Sequence, residues 1–477
     1  MKIKFNKNIL LICFFFIVVF GTGIFLLRGF FSGYLTGIRG GLIFILLTAG
    51  VLLAVISLPP QLLKRHLPHI YFIAIVWGYF YQVILLYDAP LHASFFRCLF
   101  YILLIIGMVL FLSNKKIDLK YLLLFFGWLF FNLFSLLGKK VPDDVIMLYF
   151  VGVVLPGLFA LVLHVYFKTE GTFELFTRAV SLGTIGILGG MLLIMFLATV
   201  LKWGDIALAR NAANLNYGAG LLFLAWPFIT WKLYSHSFLS RIFIILFITA
   251  VAFFSFSRTT FFLTIMLIIF TFFISQKTNK KIIVSFLLAF LLIAIFAPQS
   301  ILSHWLARFN IKQWSEILHP ERWKDIALTD RAKIWSFALN AFSQSPLIGH
   351  GLGSFSTLVS EKTAGVEEYS EAHSLTLTVM AERGVIGFVM ITGMILYILF
   401  NLLLRWRVES GVRKEFFILA LVSFFCFLAF AHTTGAEIMR SGTLFVDGTL
   451  SAYLMVYLVI TMSWSQIREK SLQHGDK

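Results

Sequence analysis

Charge is what this chain lacks most. Of its 477 residues only 13% are Asp, Glu, Lys or Arg, against 60% hydrophobic. A globule of this size needs far more charge to stay in water, so the composition excludes an ordinary soluble protein and points to one dissolved in lipid. The net charge of +17 would suggest a nucleic-acid partner in a soluble chain. Here the basic residues sit in short clusters between apolar runs, which is a membrane-orientation pattern and excludes that partner. Cysteine is also scarce: Cys13, Cys98 and Cys426 all lie inside apolar stretches, with no CxxC pair and no metal-ligand spacing, so they read as small hydrophobes. The outer segments contain no Asp-x-Asp and no His/Cys cluster, so neither a bound metal nor another cofactor is expected.

What the chain has instead is repeated apolar runs. They fall near 9–27, 40–58, 70–87, 95–112, 121–137, 145–166, 179–201, 217–234, 241–256, 259–275, 281–297, 385–404, 415–431 and 444–463. Several are close to the minimum that crosses ~30 Å of hydrocarbon, so the expectation is an all-α, polytopic integral membrane protein with about 12–14 transmembrane helices. Lys2, Lys4 and Lys7 precede the first run, no small-x-small cleavage site follows it, and it reads as a retained helix. With the N-terminus inside, the excess of Lys and Arg collects on the cytoplasmic side, in turns such as Lys115-Lys116 and Arg405 to Lys414, while the outer segments are nearly balanced. Both termini are then cytoplasmic.

One segment breaks the alternation of runs and short turns. From 298 to 384 continuous hydrophobicity is lost and charges of both signs gather, all on the outer face in this topology. A long connection of this kind is functional or disordered, and Trp305, Trp314, Trp323 and Trp335 argue for a small folded cap at headgroup level. The expected organisation is therefore 1–200, N-terminal membrane helices; 201–297, membrane helices with short arginine-bearing outer loops; 298–384, the large outer loop; and 385–477, the last membrane helices with a cytoplasmic tail. Within the loop, the period of Ile334, Trp335, Ala338, Leu339 and Phe342 predicts an amphipathic helix over 331–342, with Thr329 as N-cap and Pro346 beyond its end. Gly349-His350-Gly351-Leu352-Gly353 follows; it lacks the Lys-Ser/Thr of a phosphate-binding loop and no strand precedes it. Gly384 and Gly387 are expected to break or bend the helix that enters the span at 385, laying the His373 segment along the membrane surface.

Taken together, Arg331-Ala-Lys-Ile-Trp335, Pro346-Leu-Ile-Gly349-His-Gly351-Leu-Gly353, and His373-Ser374 followed after nine residues by Gly384-Val-Ile-Gly387 resemble the signature region of the bacterial O-antigen ligase and polymerase superfamily. Ser257-Arg258 is similar to that family's short Ser-Arg outer turn. Arg210-Asn-Ala-Ala-Asn-Leu-Asn216, ahead of a run ending in Trp226-Pro227, resembles its earlier arginine-bearing loop. The likeness covers roughly residues 200–430; the N-terminal half matches only in being hydrophobic.

The resemblance implies an inner-membrane enzyme of lipopolysaccharide assembly that uses a glycan on undecaprenyl diphosphate as donor and works on the periplasmic face. A leaving diphosphate needs fixed positive charge, and arginine offers a fork of donors that holds phosphate oxygens in pairs. Arg210, Arg258 and Arg331 are the candidates for that role, in place of a metal. The acceptor hydroxyl must lose a proton, which makes His373 the candidate general base, with Ser374 and Glu382 as possible supporting residues. Each has a bland counterpart: His373 as an interfacial side chain, Arg258 as a snorkelling residue at a span boundary, Arg331 as a surface charge at a helix start, and Glu382 as a partner for Arg383. The compact loop with an undivided His-Ser-x9-Gly-x-x-Gly pattern is closer to ligases, whose acceptor is the lipid A-core. A polymerase joining lipid-linked repeat units and a protein O-oligosaccharyltransferase are the alternatives within the resemblance. A flippase or transporter would carry ionisable groups inside its spans, where this chain has little beyond Asn132 and His164.

Overall fold

The structure is a computed structural model. It describes residues 154–167, 170–199, 215–231, 238–255, 257–274, 331–362, 372, 374–433 and 456–464, with scattered helical positions between 119 and 133. Among the described residues there is helix and no strand. The apolar runs from 9 to 112 and at 281–297 lie outside the described residues, as do Thr329, Trp305, Trp314 and Trp323.

The chain divides into two compact units, Met1–Lys115 with Gly171–Gly218, and Lys116–Glu170 with Ala219–Lys477. The described part of the first is mainly one long helix, α2 (Glu170–Thr199). The second holds α1 (Leu155–Tyr166), α3 (Leu215–Ile229) from Ala219 onward, α4 (Phe238–Phe254), α5 (Arg258–Ile274), α6 (Arg331–Gln344), α7 (Ser354–Lys362), α8 (Leu375–Val408), α9 (Gly411–Thr433) and a helical segment at 456–464. α8 and α9 contain spans long and apolar enough to cross a membrane, Leu375–Val408 and Gly411–His432. Shorter apolar helices run over Gly220–Ile229, Phe243–Phe254 and Thr259–Thr271.

The second unit has the polarity of a lipid-dissolved bundle. Large apolar side chains face outward, among them Phe243, Phe262, Ile269, Phe270, Val389, Leu396 and Phe400, while Thr230, Thr249, Thr271 and Ser423 are buried. Water would not tolerate that much exposed hydrocarbon. The buried threonines satisfy their hydroxyls on their own helices, donating to carbonyls four residues back: Thr230 to Trp226, Thr249 to Ile245 and Thr271 to Leu267.

α3 shows how backbone is kept satisfied away from water. Pro227 sits inside it and has no N–H to give the Phe223 carbonyl. Ser423 of α9 donates to that carbonyl instead, and the Tyr457 hydroxyl donates to the neighbouring Leu224 carbonyl at 2.8 Å. A missing helix bond that would be costly in hydrocarbon thus becomes the seam between α3, α9 and 456–464. Trp226 gives its indole N–H to Thr271 of α5 at 2.8 Å, so the Trp226-Pro227 pair is accounted for by packing.

The 331–342 helix forms and extends to Gln344, but the face it buries differs from the expected one. Ile334, Ala338 and Ala341 pack with Phe355, Val359, Ala372 and Ala381 in a small core under α6, α7 and the first turns of α8. Leu339 is 51% exposed. A stripe through 334, 338 and 341 faces the partner helices, and Leu339 lies about 100° round from Ala338. Ile334→Ala should therefore cost about 2–4 kcal/mol in thermal unfolding and Leu339→Ala within about 0.5 kcal/mol. Equal losses would restore the sequence-derived face.

Candidate functional site

The glycines of the motif interlock two pieces of backbone. Gly349, Gly351, Gly353 and Gly384 all have positive φ, and Gly384 (φ 62, ψ −162) interrupts α8 with a non-helical conformation, as the sequence led us to expect. A break there removes the ordinary helical bonds from Val385 to Ala381 and from Ile386 to Glu382. The turn at 346–351 takes up all four groups. Val385 N–H donates to the Pro346 carbonyl at 2.7 Å and Ile386 N–H to that of Leu347 at 3.2 Å. His350 N–H donates to Ala381 at 3.1 Å and Gly351 N–H to Glu382 at 2.8 Å.

This insertion leaves no room for side chains. A Cβ on Gly349 would lie 2.2 Å from the Glu382 carbonyl carbon, and one on Gly384 would lie 2.3 Å from the Leu347 oxygen. One on Gly387 would meet the Arg383 side chain, whose Cβ is 2.2 Å away. The two motif halves, Pro-Leu-Ile-Gly-His-Gly and Gly-x-x-Gly, are thus one device, a turn set into a helix break.

Neighbouring polar groups brace it. Ser345 Oγ donates to the Gly349 carbonyl at 2.7 Å, and Ser354 Oγ to that of Gly351 at 2.7 Å. His350 Nε2 lies 2.8 Å from the Ala341 carbonyl, so that nitrogen is the donor and the ring ties the turn to the end of α6. Glu382 is buried beside the break, and its Oε1 accepts the Phe355 N–H at the start of α7, at 3.4 Å. A carboxylate at a helix N-terminus is electrostatically favourable. Arg383 is buried next to it.

The residues on either side of position 373 are also held. Ala372 is fully buried and donates its N–H to Thr378 Oγ1 at 3.2 Å. Ser374 is the extended N-cap residue of α8, and its carbonyl accepts the Thr378 N–H at 2.9 Å. Its side chain makes no capping bond, so the motif serine contributes through its backbone. His373 and Arg210 lie outside the described residues. Arg258 and Arg331 are the first residues of α5 and α6.

At the start of α5 the serine of the Ser-Arg pair has a local structural role. Ser257 accepts the Thr260 N–H on its Oγ at 3.3 Å, an N-cap bond, and its own N–H donates to Ser255 Oγ at 3.2 Å. The Ser-Arg pair is therefore a cap followed by a cation at the positive end of a helix. That place disfavours a cation in stability terms. Ser257→Ala should cost ~1 kcal/mol in unfolding experiments, with Ser257→Thr recovering most of it.

Packing links the helices that carry these positions: α5 on α9, α9 on α8, and α8 on α6. It also brings up His432, in the last turn of α9, whose Nδ1 is 3.5 Å from Thr376 Oγ1 in the first turn of α8. Sequence reading passed over His432, because the contact spans 56 residues and belongs to no local pattern.

Residues 242–392 match the family model described as O-Antigen ligase. This supports membership of the O-antigen ligase-like superfamily. The match takes in Arg258, Arg331, His373, Glu382 and every glycine of the lock, and leaves out Arg210. It is narrower than the span of roughly 200–430 suggested by sequence inspection. No curated protein matches the chain. The O-antigen ligase-like region marks a membrane glycosyltransferase of the ligase or polymerase type, a class that acts on lipid-linked glycans.

Proposed function

We propose that this protein transfers O-antigen polysaccharide from undecaprenyl diphosphate to the lipid A-core on the periplasmic face of the inner membrane, with inversion and without a metal. The observation that carries the reading is the turn-in-helix lock, which lies within the O-antigen ligase-like region and pins the chain between the arginine-led helix α6 and the His373 segment. In the reaction, His373 accepts the proton of the acceptor hydroxyl as its oxygen bonds to the anomeric carbon. The bond from that carbon to the diphosphate oxygen breaks, and the leaving undecaprenyl diphosphate departs with the electron pair. Arg258, Arg331 and Arg210 stabilise its charge. Glu382 acts as a brace for α7 and the lock, with no direct part in proton transfer.

Several contacts group as the alternating topology requires. Residues assigned to the cytoplasmic ends meet one another: His164 with Ser463, Glu409 with Trp464, and Arg405 with Thr461. Thr376 and His432, assigned to the outer ends, do the same.

The test is a lipopolysaccharide gel with a parallel assay of undecaprenyl-linked glycan in wild-type, deletion and complemented cells. Core without O-chain and accumulated lipid-linked polymer are expected in the deletion. Cores carrying a single repeat unit would make the enzyme a polymerase, and an unchanged profile would discard both readings in favour of protein glycosylation or transport.

A further inference from the structure

The turn that fills the helix break has an outward side. Leu347 is 67% exposed and Ile348 44%, and the residues they are bonded to or beside on α8, Val385 and Ile386, are 39% and 45% exposed. These four exposed apolar side chains form a lip where the turn of the outer loop meets the start of the span expected from 385. From Val385 and Ile386 the exposed apolar stripe continues down α8 through Val389, Met390, Leu396, Tyr397 and Phe400, the helix spacing of a lipid-facing stripe.

Part of the lip's backbone is paired within the protein, which lowers the cost of bringing it near hydrocarbon. Pro346 has no N–H, and the carbonyls of Pro346 and Leu347 are taken by Val385 and Ile386. Ser343 and Gln344, the last residues of α6 before the turn, are exposed and polar.

We propose that Leu347, Ile348, Val385 and Ile386 insert together among the acyl chains of the outer leaflet, so that the glycine lock is seated at the membrane surface. Continuity with the α8 stripe selects bilayer lipid as the occupant over a second copy of the chain. The lock then holds the adjoining loop at the depth where the headgroup of a membrane lipid lies, whichever sugar is transferred.

Spin labels on Leu347→Cys and Ile348→Cys, in the full chain with Cys13, Cys98 and Cys426 changed to alanine, test this in nanodiscs of phosphatidylethanolamine and phosphatidylglycerol. Labels at Phe400→Cys and Ser336→Cys serve as lipid and water references. Oxygen should relax the Leu347 and Ile348 labels more than a water-soluble nickel chelate does, as at Phe400 and opposite to Ser336. Nickel dominance at both lip positions, with Phe400 in lipid, overturns the lip alone. Nickel dominance at Phe400 overturns the membrane span as well, and dipolar broadening between lip labels would assign the lip to a second copy. Should the cysteine-free chain misfold, benzoylphenylalanine at 347 in the native-cysteine chain must give a phospholipid photo-adduct; its absence, with an adduct at 400, is equally decisive against the proposal.

Discussion

Gly384→Ala is expected to unfold the 346–351 turn from α8 and to abolish transfer, with a loss of at least ~3 kcal/mol in unfolding free energy. Two costs combine. The backbone at Gly384 (φ 62, ψ −162) lies in a region open essentially to glycine alone, which costs an L-residue about 1–3 kcal/mol. The new Cβ would also lie 2.3 Å from the Leu347 carbonyl oxygen and 2.7 Å from the Gly349 nitrogen, both backbone atoms that cannot swing aside. Relief of that clash means separating the turn from the break, with four hydrogen bonds at stake, each worth about 1 kcal/mol net. Gly393→Ala is the matched control, since a Cβ there meets nothing within 4 Å. It should be neutral or stabilising by roughly 0.5–1 kcal/mol, the ordinary helix preference of alanine over glycine. Thermal unfolding in detergent, with limited proteolysis at the turn, separates the two. If both variants behaved alike, the lock would not be what holds the motif together.

The second large effect concerns the chemistry. His373→Ala should lower the transfer rate by ~10²–10⁴-fold while leaving stability and membrane insertion near wild type, as removal of a general base does. Arg331→Ala should cost ~10²–10³-fold, as loss of a preorganised charge does, and Arg331→Lys should restore only part of it because an ammonium cannot hold two phosphate oxygens in a fixed fork. The assay is transfer of a lipid-linked glycan to purified acceptor by the detergent-solubilised protein, with unfolding temperature measured alongside. Full activity in His373→Ala would remove that residue as the base while leaving the family match intact. A collapse of stability in His373→Ala would place the residue in the fold instead.

The extent to which sequence anticipated structure differs from residue to residue. The helix starting at Arg331 and the break at Gly384 were legible because both depend on local chemistry: a 3.6-residue period, a proline beyond the end, and a glycine where L-residues resist. The buried face of α6 was misread at Leu339, because period alone locates a stripe only to within a residue or so and the packing of α7 against Ala338 and Ala341 selected its edge. Trp226-Pro227 looked like a family mark, and its surroundings explain it as an in-helix proline whose orphaned carbonyl partner is satisfied by Ser423. The sequence offered no reading of His350 itself, and the structure engages its ring donor with the Ala341 carbonyl.

Composition and charge order alone determined that the chain belongs in a membrane, since no arrangement of so few charges could keep so much hydrocarbon in water, and the spacing from His373 to Gly387 determined its resemblance. Only the tertiary structure decided why two distant glycine clusters belong to one device. The bonds that join them run between main-chain groups 31 and 39 residues apart, such as His350 N to Ala381 O and Val385 N to Pro346 O, and main-chain pairing leaves no side-chain period for a sequence to display. The burial of Glu382 and the approach of His432 to Thr376 belong to the same class. Each depends on which helix faces reach each other after packing, a choice that local propensity does not encode.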